Sequence, residues 1–307
     1  MVFLKRRGPK KILTEEGLGG WTLLIGFKKE IEELRDIFNG FKESIPKVIL
    51  NLGELRQKKL SIFRNLELAQ SQEGIDKLLD ELYQVTKLEQ RYIQFIRYKF
   101  DDVCKKIADY TRRYQVNYSR YISSLEYTKN NPFLSDMPEE RRREHIAKDQ
   151  ETMDWLGEQL KEYGELLQIL LYLTKEIIHP VILQVEIRLV DELDNLQNAK
   201  GKEAVSRMRY YIESMNQQLL AVKSLERQVD PNILKAKVDQ IASREVKIEN
   251  VKIVVTGIIQ ILREIAESLV PNILTGIKDT ISIISNLELS TKETVILDRM
   301  TFLAQRE

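Results

Sequence analysis

The chain has 307 residues, 48 of them basic and 47 acidic, for a formal net charge of +1. So even a balance leaves no overall field to steer the molecule toward nucleic acid or a membrane, and 13 Gly with 7 Pro fit a helix-rich chain and not a disordered or secreted one. Cys104 is the single cysteine, which excludes an intrachain disulfide and fits a reducing compartment, so a cytoplasmic location is expected.

Residues 1–22 read as a basic, Gly-rich N-terminal arm. Lys5, Arg6, Arg7, Lys10 and Lys11 fall among the first eleven positions with no acidic residue, and Leu18 and Trp21 follow. Such an arm can set its cations against an anionic membrane surface, peripherally, while Leu18 and Trp21 enter the interface. The competing expectation is a basic tail with Trp21 packed onto the helices, since Leu24 and Phe27 already fit the core pattern that follows. Glu15 and Glu16 and the lack of a small-residue cleavage site argue against a signal peptide. The longest uncharged stretch, Gly17 to Phe27, is eleven residues against the ~20 a spanning helix needs, so no transmembrane helix is expected.

From Leu24 the apolar positions step by alternating threes and fours. Phe27, Ile31, Leu34, Phe38, Phe41, Ile45, Val48, Leu52, Leu55, Ile62 and Leu66 continue the pattern to Ala69, with Lys59 the one interruption. This is a coiled-coil seam on a long helix, kinked near Pro46. A seam that needs burial predicts that Phe41→Asp is severely destabilising and that Lys59→Leu, which completes the stripe, is neutral or stabilising.

Ser71 to Gly74 breaks the pattern as a turn, and a second helix is expected over about Ile75 to Thr128. Its stripe reads Tyr92, Ile96, Phe100, Val103, Ile107, Tyr110, Tyr114, Tyr118, Tyr121 and Leu125, a mean spacing of about 3.67 that points to straight or right-handed packing. Asn130 to Pro138 is the clearest break, with Asp136 and Glu139 as a capping box. A third helix runs from there to Gly201, kinked at Pro180, and a fourth carries Val205 to Val229. Asp230 and Pro231 restart the chain into a fifth, Leu234 to Leu269, ending before Pro271. The Pro-Asn-Ile-Leu sequence at 231–234 recurs at 271–274, each copy reading as a helix start.

The expected fold is therefore all-α, an elongated antiparallel helical bundle or coiled coil of about five long helices, several proline-kinked. Residues 23–290 form the bundle, with a sub-boundary at 129–137, and 291–307 form a C-terminal short helix or tail.

Residues that would argue for chemistry are sparse. Glu176 and His179 have the Glu-x-x-His spacing of a di-iron bundle, but the only other histidine, His145, lacks a matching glutamate, so no metal site is expected. Cys104 has no histidine near it in sequence, and Gly17, Gly19 and Gly20 lack phosphate-loop spacing. Arg91, Arg97, Lys99, Lys105, Lys106, Arg112, Arg113 and Arg120 alternate with aromatics, yet the tyrosines share the buried stripe while the arginines point elsewhere, which disfavours single-strand nucleic-acid binding.

Long helices with a basic start broadly resemble curved membrane-binding helical dimers and helical pore-forming toxins, a likeness of architecture. The expectation is a non-enzymatic helical scaffold or interaction protein without cofactor, catalytic residue or small-molecule substrate. It would self-associate or bind a protein partner, with an anionic membrane surface as a further contact. The alternative is a cytosolic coiled-coil adaptor that binds its partner through an exposed seam.

Overall fold

The computed structural model describes residues 19–130, 137–200, 203–215, 232–285 and 293–306, and every element among them is helical. In chain order these are α1 (Gly19–Leu68), α2 (Gln72–Asn130), α3 (Glu139–Leu171), α4 (His179–Gln197), α5 (204–215), α6 (Asn232–Ala242), α7 (Glu249–Glu264), α8 (Val270–Ser285) and α9 (Glu293–Ala304). The count exceeds the five expected, for identifiable local reasons. The capping residue Asp136, Gly201 and Asp230–Pro231 lie outside the described residues.

Ser71 fixes the first turn. Its hydroxyl accepts a hydrogen bond from the Gly74 amide at 3.2 Å, capping the start of α2. The expected fifth helix divides at 243–248. There the Ser243 amide and hydroxyl both donate to the Gln240 carbonyl at the end of α6. The start of α7, which has no side-chain cap of its own, is closed from α3: the Glu151 carboxylate accepts the backbone N–H groups of Lys247 and Ile248.

Two prolines lie inside continuous helical chain, Pro180 as expected and Pro271 against the expectation that the helix ends before it. α3 and α4 join through a π-helical segment, Tyr172–Ile178, and α7 and α8 through another, Ile265–Leu269. Each ends two residues before a proline, Pro180 and Pro271. A proline ring clashes with the carbonyl four residues back and offers it no N–H. Those carbonyls belong to Glu176 and Glu267, both inside the widened turns. The wider turns absorb the misfit and the chain stays helical. Pro271 therefore does not end a helix, and the second Pro-Asn-Ile-Leu copy lies inside one.

The chain divides into two compact units. One comprises Met1–Phe38, Lys105–Leu171 and Pro231–Leu269. In it the Phe27 ring meets Trp155 edge-on at 6.3 Å, and the Tyr110 hydroxyl donates to Glu33 at 2.8 Å. Burial, and then that carboxylate, push the Tyr110 phenol above its ordinary range. Lys237 of α6 reaches Glu162 and Glu165 of α3, whose hydrogen bonds raise its pKa.

The other unit comprises Asn39–Cys104, Tyr172–Asp230 and Val270–Glu307. Phe41 packs on Phe100 at 5.4 Å between centroids, and Arg299 of α9 donates to the Ala69 carbonyl just past the end of α1. Gly276 of α8 lies so close to Ile45 that a Cβ there would overlap its Cγ2.

The α1 seam is buried against the rest of this chain from Leu24 to Leu66, while Ala69 is half-exposed. The second helix buries the expected Ile96, Phe100, Val103, Ile107 and Tyr110 and differs from the expected stripe at its start. Ile75, Leu79, Leu82, Thr86, Glu89, Ile93, Ile96, Phe100, Val103, Ile107 and Tyr110 are all buried, and they alternate fours and threes throughout. Ile93 holds the position assigned to Tyr92, and the mean spacing over Ile75 to Tyr110 is that of α1, about 3.5. Tyr114, Tyr118, Tyr121 and Leu125 have side chains outside the described set.

Candidate functional site

Strict seams bring polar residues together. In the second unit Lys59 of α1, Thr86 and Glu89 of α2, Glu192 of α4 and Tyr211 of α5 each occupy a seam position on their own helix, and each is 0–1% exposed. The Lys59 ammonium forms an ion pair with the Glu89 carboxylate and stands 5.5 Å from the centre of the Tyr211 ring. The Tyr211 hydroxyl shares a 3.2 Å hydrogen bond with Thr86, and Ser214 of α5 hydrogen-bonds Glu192. The Tyr211 ring also packs on Phe63, one residue beyond the seam.

Charge counting explains the protonation pattern. Burial alone would lower the Lys59 pKa, but Glu89, Tyr211 and Glu192 surround it and hold it above the ordinary lysine range, so it stays charged. One ammonium then faces two carboxyls. Burial raises both, with Lys59 pulling against it, and Glu192 reaches about 7. Burial likewise pushes the Tyr211 phenol up to about 12. Near neutral pH the cluster is an ion pair, Lys59 with Glu89, beside a carboxyl that retains much of its proton. These groups are satisfied mainly by one another and sealed from water, an arrangement that fixes which seam positions face each other.

A second ionic group links α2 and α4. Arg97 pairs with the buried Glu186 and lies over Tyr98, while His179 Nε2 stands 2.7 Å from Asp101. His179 is thus held by an aspartate, and Glu176 is exposed beside Lys175. Among the described residues no three His, Cys, Asp or Glu side chains are grouped to hold a metal ion. Burial pushes the Cys104 thiol up, against a hydrogen bond from Thr174, which leaves it a poor nucleophile at neutral pH.

Of the N-terminal contact residues, Lys5, Arg6, Arg7, Lys10, Lys11 and Leu18 lie outside the described residues. Trp21 is buried, with the Lys148 ammonium of α3 at 4.0 Å from its ring centre. A ring so placed presents its face to a cation of its own chain, in keeping with the competing expectation that Trp21 packs onto the helices.

The exposed apolar surface lies elsewhere. Leu183, Ile187 and Val190 of α4 are 37%, 53% and 38% exposed, at spacings of four and three. They form a second stripe beside the buried one of Ile182, Val185, Leu189 and Leu196. Gly164–Gln197 is long and apolar enough to cross a membrane by length and composition, and half of its most apolar window is buried inside the protein. Lys175 and Glu176 interrupt this run, which is why the longest uncharged stretch of the chain lies elsewhere, at Gly17 to Phe27.

Comparisons of this chain with protein families, with curated proteins and with solved structures find no match.

Proposed function

We propose that the protein is a non-enzymatic helical scaffold or interaction protein, an elongated antiparallel coiled-coil bundle that associates with a second copy of itself through α4. The observation that carries this reading is the exposed stripe Leu183, Ile187 and Val190. With the α1 seam closed within the chain, this stripe keeps coiled-coil spacing and needs a partner surface. Charge favours a second copy laid antiparallel. Exposed Asp191 and Asp194 follow the stripe, while exposed Lys175 precedes it beside Glu176, so reversing one copy keeps the two acidic ends apart and sets each against a mixed end that holds a cation. Burial of the polar cluster supports the non-enzymatic part, since a substrate has no approach to it.

Cysteine cross-linking tests the reading. On a Cys104→Ser background, Ile187→Cys should give a disulfide-linked dimer under mild oxidation and Lys87→Cys on α2 should not. Equal yields from the two would count against an α4 interface. The elongated form is checked by small-angle scattering, because α2 alone, 59 residues, reaches about 88 Å whereas a compact globule of this length has a radius of gyration of about 19 Å.

A second reading is peripheral attachment to an anionic membrane through Lys5, Arg6, Arg7, Lys10 and Lys11, supported by five basic and no acidic residues in the first eleven. Flotation with anionic vesicles, with and without residues 1–18, separates it from the first.

A further inference from the structure

The second unit has a cleft of about 500 Å³ between α1 and α2, a size within the ~300–1,000 Å³ typical of small-molecule sites. Its apolar wall is Val48, Leu88 and Phe95, the last two well exposed. Lys47 and Arg91 line it as well, and no carboxylate does. Neither cation has an ion-pair partner among the described residues. Lys99 adds a third positive charge, 5.8 Å from the centre of the Phe95 ring. Ser44, whose hydroxyl is engaged by the Gly40 carbonyl, and Asn51 supply neutral polar edges.

Unpaired cations beside uncovered apolar surface define a ligand with two parts. We propose that this cleft binds a small amphiphilic carboxylate, its hydrocarbon body against Val48, Leu88 and Phe95 and its head group held by Lys47 and Arg91. The lining argues for a small anion because it spans only two helical turns on each helix, 44–51 and 88–95, too short a track for a long docked helix. The site is independent of the α4 stripe.

The test is isothermal titration of the full-length protein with decanoate, decanol and decyltrimethylammonium. Decanoate should bind saturably, decanol at least about tenfold more weakly, and the cation not measurably, a tenfold ratio being the size expected for charge-assisted hydrogen bonds to two cations. Each methylene added between octanoate and decanoate should tighten binding about two- to fourfold. Lys47→Glu with Arg91→Glu should abolish decanoate binding, and Phe95→Ser should weaken decanoate and decanol alike. All three positions are exposed, so the variants should keep the helical circular dichroism of the parent. Saturation absent up to about 1 mM decanoate, the limit of useful weak affinity, would overturn the proposal. So would equal binding of decanoate and decanol, or an unchanged affinity in the double charge reversal.

Discussion

The Lys59 ammonium on α1 and the Glu89 carboxylate on α2 form an ion pair with both side chains withdrawn from water. Removing one partner of such a pair strands the other as a buried charge, at a cost of about 3–5 kcal/mol, whereas replacing both with apolar residues is often neutral. Lys59→Leu is therefore expected to be strongly destabilising, the reverse of the expectation from the seam alone. Urea denaturation should place Lys59→Leu and Phe41→Asp among the severe variants, while Lys59→Leu combined with Glu89→Leu recovers much of the loss. A single Lys59→Leu as stable as the parent would contradict the ion pair.

Lys59 also shows where sequence reasoning stopped. The α1 seam was legible because apolar residues fill all its other positions and hydrophobic periodicity records burial directly. The α2 seam was missed at Thr86 and Glu89, since polar residues carry no such signal, and Tyr92, the aromatic neighbour of Ile93, took the next position off register. Holding the three-four alternation through Ile75, Leu79 and Leu82 would have put Glu89 in the core, and a lone lysine in one seam calls for a carboxylate in another. Glu192 and Tyr211 depend on which helices face each other, which no local pattern encodes. The π segments were hidden for a similar reason, because a proline reads as a terminator unless the preceding turn widens.

Stability should depend on pH through Glu192. Its carboxyl is raised to about 7 by burial, against Lys59 and the Ser214 hydrogen bond, with Glu89 raising it further and Arg188 opposing. Between an ordinary unfolded value near 4.3 and about 7 the folded state holds a proton that the unfolded state has released. Stability from this group is thus full below that range and falls as pH rises through it, by roughly 3–4 kcal/mol. Glu192→Gln, which cannot ionise, should gain on the parent by that order between pH 4.5 and 8 in thermal melts. Parallel curves for the two proteins would show that Glu192 titrates normally.

Two glycines in helices should respond in opposite directions to alanine. A Cβ at Gly276 would overlap Ile45, so Gly276→Ala is expected to lose about 1–3 kcal/mol. At Gly53 nothing lies within 4 Å of the added carbon, and Gly53→Ala should gain roughly 0.5–1 kcal/mol from helix propensity. Melting temperatures that moved the same way would break the placement of α8 on α1.

Packing predicts that Trp21→Ala loses about 3–5 kcal/mol, the usual result of emptying a buried aromatic site. In a Trp155→Phe background the remaining Trp21 emission should be blue-shifted in buffer and unchanged by anionic vesicles. A further blue shift on adding vesicles would place the ring at the lipid interface.

Association through α4 is tested most directly by sedimentation equilibrium of the parent and Ile187→Glu. Ile187 is 53% exposed, so the charge leaves the folded chain intact but sits at the centre of the proposed interface. The parent should sediment as a dimer of the 36.0 kDa chain and the variant as a monomer with an unchanged helical spectrum. A monomeric parent, or a variant that dimerises as well as the parent, would contradict self-association through this stripe.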